Sequence, residues 1–388
     1  NINSYVYPQY PMEKIMDTMR PIYEKAVADA KAADTPEKRR GVGIAWGGFN
    51  VTEGGGDSAE VALELMPGNK IRKYDTWHAM GQGATTGSLV VTLEALKEMH
   101  LTPEDIQLIQ NDTKTCPDTG MAGASRSLYM DGNATIIAAN KLLAAMRKED
   151  GTLRTYDEMK AEGIETKYLG RYETNTTPGL CRLDPNTGIG DPTPAFTYCL
   201  NLAEVEVDTK TGKTTVLKFT CVDFVGRIGN IDAVNGQAYS GIMHGIGFAL
   251  KEDYADVKKH ANMFGAGTSY IKDVPDDINL IHIDGAISDG PFGSSGASEA
   301  FQASGHCAVL NGIYNACGVR IHEIPALPEK VKAGLDAIAK GEKPYEPKKY
   351  FLGSDMYEEL ENIKENPVQV GTQSFYVSLD DPTAERPF

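Results

Sequence analysis

The sequence has no apolar run of about 18 residues, the minimum for a membrane-crossing helix. It also has no positively charged start followed by an apolar stretch, so no secretory leader is predicted. Cysteine is sparse: Cys116, Cys181, Cys199, Cys221, Cys307 and Cys317 contain no C-x-x-C pair. That spacing argues against zinc knuckles, cluster-binding loops and a disulfide scaffold within the chain, and points to a reducing, cytoplasmic compartment. Positive charge is short as well. Against 54 Asp and Glu stand 38 Lys and Arg, a net charge of −16. Nucleic-acid binding needs cations to displace counterions, so it is disfavoured. An anionic ligand would have to be met by backbone N–H groups rather than by a lysine patch.

Familiar catalytic signatures are missing. There is no G-x-x-x-x-G-K-[ST], and no G-x-G-x-x-G, because Gly41-Val-Gly43 and Gly245-Ile-Gly247 both fail at the third glycine. The run from Gly293 comes near a G-x-S-x-G elbow but meets Ala297 where the last glycine belongs. No H-E-x-x-H occurs and the seven histidines are scattered, so a metal would be held mainly by non-protein ligands.

What is present is the mix of a soluble globular protein, 41% apolar and 24% charged, in 388 residues. This is enough for one large or two ordinary domains. The opening NINSYVYPQYPMEK reads as interior sequence, so a processed chain or one piece of a larger polypeptide is expected. Helices are predicted over 12–32, 84–99, 127–148, 156–162, 234–250 and 328–340, and after Glu299. Strands are predicted over 41–49, 59–66, 71–77, 106–110, 196–208, 214–225, 278–283 and 319–321. Pro67-Gly68-Asn69 and Thr209 to Lys213 mark two hairpins. Pro178 to Pro194 reads as a proline- and glycine-rich crossing segment, and 258–277 as a mobile one. The layout is α+β, with small mixed or antiparallel sheets and helices.

The most informative stretch is Asp289 to Asn315, DGPFGSSGASEAFQASGHCAVLNGIYN. Small residues run into one acid, Glu299, and then into a helix whose first N–H groups attract anions. Ser298 as a cap with Glu299 in the first turn is also ordinary helix-start chemistry. Small-residue loops open helices at Gly81–Gly83, at 119–125 and, more weakly, at Gly236-Gln237. Several such junctions converging would suit one large anionic cofactor.

Five collinear segments carry a resemblance: DGPFGSSGASE ending at Glu299; Thr76-Trp77 through Gly81-Gln82-Gly83; Thr119 to Arg126; Gly236-Gln237 through Gly247; and Gly318 to Ile321 with Pro325 to Lys330. Over about Ser4 to Leu335 the chain resembles the C-terminal part of the molybdenum-binding subunit of the xanthine oxidase family, and is most similar to bacterial aldehyde oxidoreductases. The resemblance implies an elongated molybdopterin-binding architecture in two subdomains, 1–180 and 181–340, with a tail over 341–388 that contacts a partner. It implies molybdenum held by a pterin dithiolene, the pterin as a cytosine dinucleotide, with no side chain on the metal.

Glu299 is the implied general base, taking a proton from a hydroxyl or water on the metal, and is expected to be largely desolvated. Gly81, Gln82 and Gly83, Gly120, Gly123, Ala124, Ser125 and Arg126, Gln237, and Gly296, Ala297 and Ser298 are the implied cofactor contacts. Trp77 matches a residue of the substrate funnel, or else is a core aromatic. Met80, Ser298 and His244 depart from the aldehyde-enzyme pattern. This leaves aldehyde oxidation, hydroxylation of an N-heteroaromatic ring of purine or nicotinate type, and a non-catalytic scaffold as readings. The first half of the family's molybdenum subunit has no counterpart here. A partner chain supplying it is therefore expected, with iron–sulfur and possible FAD modules elsewhere.

Overall fold

The computed structural model describes residues 9–52, 57–110, 112–174, 193–256, 258–287, 289–343 and 365. In chain order the elements are α1 (Met12–Ala33), β1 (Lys38–Val51), β2 (Ser58–Met66), β3 (Lys70–Asp75), α2 (Ala84–Ala95), β4 (Ile106–Gln110), α3 (Ser127–Met146), α4 (Tyr156–Ala161) and β5 (Lys167–Glu173). They continue with β6 (Ala195–Asp208), β7 (Thr214–Phe224), α5 (Ile231–Leu250), β8 (Asp277–His282), α6 (Ser298–Gln302), α7 (Gly305–Cys317) and α8 (Pro328–Ala339). Two four-stranded mixed sheets result, ordered β1-β6-β7-β8 and β4-β3-β2-β5. Both predicted hairpins form, β2 with β3 and β6 with β7, each antiparallel. The parallel neighbours are β3 with β4 and β7 with β8. No described helix is long and apolar enough to cross a membrane.

The glycine-rich run that reads as strand is β1, and its glycines have a packing reason. A Cβ on Gly41 would lie 2.2 Å from the Gly312 carbonyl oxygen, and one on Gly43 2.1 Å from that of Ala308. Glycine lets α7 lie backbone-to-backbone on the strand. Asn311 and Asn315 then donate side-chain hydrogen bonds to the carbonyls of Ile44 and Val42. Val205, Phe219, Ile242, Phe301 and Ile313 fill the core beneath. A second core, around Leu63, Ile71, Leu142 and Met146, joins α3 to the other sheet.

Several expectations are corrected. Val319–Ile321 is not a strand; Val319 buries against α8 at Gly334 instead. Strand β5 has no clear sequence signal, because KYLGRYE mixes charges into a short edge strand. It pairs with β2 while Gly170 passes under α3. Gly236-Gln237 does not open a helix. It lies inside α5, which starts earlier, where Asn230 accepts from the Ala233 N–H at 3.0 Å. Ser298 is not a cap: Ala297 holds that position, and a break at Ala303–Ser304 splits the expected helix into α6 and α7. The crossing segment 178–194 falls largely in residues outside those described, as does the tail beyond 343. Strand β1 pairs with β6 from Lys38↔Asp208 to Val51↔Ala195, so one sheet draws strands from both sides of residue 180.

Candidate cofactor-binding and active site

Helix starts define the site. Helices α2, α3, α5 and the short α6 all begin on the wall of one cavity of about 720 Å³. Gly83, with φ +86°, is the N-cap of α2 and carries no side chain to cap it. Arg126 precedes α3 and also makes no side-chain cap bond. These two starts therefore leave backbone donors free for a ligand.

The cavity gathers most of the residues singled out from the sequence. Gln82 and Gly83 line it from one side, Gly123 and Ser125 from another, and Gln237 from α5. Gly296, Ala297, Ser298 and Glu299 form the floor, and Trp77 a wall. Gly81, Gly120, Ala124 and Arg126 do not line it, and Gly81 is exposed. The Arg126 side chain is only 2% exposed. Its five N–H donors go to Asp57, to the Ser58 and Thr119 carbonyls and to Met121. Arg126 therefore shapes the loop from within. Gln82 also folds back: its amide oxygen accepts from Met80 N–H and its amide nitrogen donates to the His78 carbonyl, both at 2.6 Å.

Two loops meet at the acid. The Ser125 hydroxyl donates to Glu299 Oε2, and its oxygen is 3.5 Å from the Glu299 N–H. Ala124 and Ser125 both hold φ +50°, an uncommon conformation for residues with a Cβ, and this aims the hydroxyl. A Cβ on Gly296 would lie 1.8 Å from the Ser125 carbonyl oxygen, so only glycine allows the loops this close. Glu299 is half-buried rather than largely desolvated, because its carboxylate faces the open cavity.

Two features of the site could not be read from the sequence, a cation on its lining and buried polar atoms without partners. Among the described residues, Arg227 is the one cationic side chain on the lining. Its N–H donates to the Gly293 carbonyl at 2.8 Å, which ties the start of the α5 loop to the floor. Ser295 Oγ and Trp77 Nε1 are buried without a hydrogen-bond partner. Trp77 is thus both core and wall, with Gly87 making room for its ring.

The molybdopterin cofactor-binding domain family matches residues 19–275. This chain belongs to that family. Aldehyde oxidoreductase of Megalodesulfovibrio gigas is 39% identical over 328 residues, 84% of this chain and 36% of its own. The solved aldehyde oxidoreductase of Desulfovibrio desulfuricans superposes with a TM-score of 0.82 at 42% identity, covering 85% of this chain and 36% of that one. A probable hypoxanthine oxidase of Escherichia coli is 28% identical over 277 residues, 67% of this chain and 29% of its own. The chain thus spans about a third of the aldehyde oxidoreductases it matches, and the fold is that of their molybdenum-binding part.

The residues present fit a molybdopterin. Trp77 Nε1 and Ser295 Oγ are buried polar atoms in the lining that lack partners, and such atoms are rare unless a ligand or water meets them. The uncapped starts of α2 and α3 suit phosphate. Among the described residues no group of three or more His, Cys, Asp or Glu side chains is arranged to hold a metal ion.

Proposed function

We propose that this chain is part of a molybdenum hydroxylase that oxidises an aldehyde to a carboxylic acid, with water as the oxygen source. One observation carries the reading. Ser125 and Glu299, 174 residues apart, are bonded to each other on the wall of the cavity that Gln82 and Gln237 also line. When bound, the molybdopterin supplies the two-electron oxidation. Glu299 acts as general base, its carboxylate taking the proton from the oxygen that attacks the carbonyl carbon. Ser125 holds that carboxylate in one rotamer. Gln82, Gln237, Ser295 and Trp77 orient the pterin, and Arg227 supplies counter-charge to its phosphate. The free N–H groups of two helix starts offer donors for more than one phosphate, which suits the cytosine dinucleotide.

The other wall of the cavity comes from a partner chain or segment carrying the rest of the molybdenum domain. Electrons leave through iron–sulfur modules there, in the cytoplasm.

The test is Glu299→Gln in the assembled complex, with turnover and molybdenum content measured together. General bases contribute on the order of 10²- to 10⁴-fold. Turnover is expected to fall by at least about 10²-fold while molybdenum stays unchanged. Activity retained within a few-fold sinks the assignment.

A further inference from the structure

Behind the cavity wall three charges are sealed in the core. Lys73 and Asp75 come from β3 and Asp131 from α3, each 0% exposed. Lys73 Nζ donates to Asp131 Oδ1 at 2.6 Å and lies 3.2 Å from Asp75 Oδ2. One ammonium faces two carboxylates. A dry cluster of that composition is neutral only while one carboxyl keeps a proton, and an unbalanced buried charge is costly.

The hydrogen bonds show which carboxyl that is. Besides Lys73, Asp75 accepts from Ser88 Oγ and from Gln110 Nε2, both at 2.7 Å, and from the Trp77 N–H at 3.4 Å. Both Asp75 oxygens are thus occupied as acceptors. Asp131 accepts only on Oδ1, from Lys73 and from Thr135 Oγ1 at 3.3 Å, and its Oδ2 has no partner. Burial pushes the Asp131 carboxyl up to about 7, against the pull of Lys73 and with a further push from Asp75. Helix α2 and strand β4 turn only the neutral Ser88 and Gln110 to the cluster, and α3 adds Thr135. On the remaining strands of this sheet, Glu60 of β2 and Arg171 and Glu173 of β5 pair with one another at the surface.

The cluster is wired to the site. Asp75 ends β3 and grips the backbone of Trp77, and it holds α2 through Ser88. Asp131 lies in the second turn of α3. We propose that Lys73, Asp75 and Asp131 form a proton-holding positioning triad, with the proton on Asp131, that sets the Trp77 wall and the starts of α2 and α3. When Asp131 releases its proton to solvent, Lys73 is shared between two anions. Its hold on Asp75 slackens, and Trp77 shifts with it.

Infrared spectroscopy of the full chain tests the proton. A buried carboxylic-acid carbonyl band is expected below neutral pH, fading as pH rises through about 7. Asp131→Asn should delete the band, and Lys73→Met should keep it to higher pH. Absence of the band in the wild-type chain between about pH 5 and 8, or its survival in Asp131→Asn, overturns the assignment. The wild-type titration suffices even where a variant does not fold. Trp77 emission, read in a Trp46→Phe background, tests the positioning. It should titrate with the band's midpoint and be flat with pH in Asp131→Asn; emission that ignores pH while the band titrates overturns that role. No readout needs a bound cofactor, so failure here is separable from failure of the proposed hydroxylase activity.

Discussion

Glu299 depends on its immediate neighbours more than on the bulk of the fold. The Ser125 hydroxyl that bonds it comes from a residue at φ +50° beside another at φ +50°, each costing about 1–3 kcal/mol of backbone strain. Such strain persists only where the surroundings over-determine it, here through the five bonds of Arg126 one residue on. Glu299 could be read from the sequence because its loop is local. Ser125 could be read only as a loop residue, not as the partner of the acid. Asp131 could not be read at all, because Lys73 lies 58 residues away. Its sign under titration is definite. The folded value of about 7 lies above the ordinary 3.8, so the native state keeps a proton that the unfolded chain has lost. Stability from this group is full below the ordinary value and is lost as pH rises through that window to about 7. Replacing Asp131 by Asn should flatten that part of the pH–stability curve, measured by denaturant unfolding at about pH 5.5 and 7.5.

Elements deliver these residues through contacts that tolerate no added atoms. Helix α7 follows α6, which carries Glu299, and α7 rests on the glycines of β1. Gly43→Ala places a Cβ 2.1 Å from the Ala308 carbonyl oxygen, so the helix must lift from the strand. A cost of about 1–3 kcal/mol is expected for such overpacking, read by denaturant unfolding, with reduced turnover in the complex because Glu299 moves with α6. Periodicity predicted most of these elements to within a few residues. It failed where partners decide the outcome. Val319–Ile321 has strand-like residues but no strand beside it, and β5 has poor strand residues but a ready edge on β2.

For the whole molecule, the cavity rim is apolar where a surface should be polar. Met80, 71% exposed, and Phe292 line the cavity, and Met121, 53% exposed, directly precedes the lining residue Ala122. Exposed apolar rims mark interaction surfaces, and here they suit the partner polypeptide proposed to complete the site. The double variant Met80→Glu, Met121→Glu should weaken that association by about tenfold or more, measured by co-purification and titration. Unchanged affinity would place the partner elsewhere.

The sequence by itself determined the α+β class, most of its elements, the two hairpins, the small-residue loops and the acid at 299, since each is written in neighbouring residues whose backbone preferences are local. Only the tertiary structure decided that those loops share one cavity, that Arg227 lines it, that Trp77 and Ser295 in its wall bury unpartnered polar atoms, and that a lysine and two aspartates lie dry behind it. Those are facts about residues far apart in the chain, and burial and hydrogen-bond satisfaction act on neighbours in space rather than in sequence.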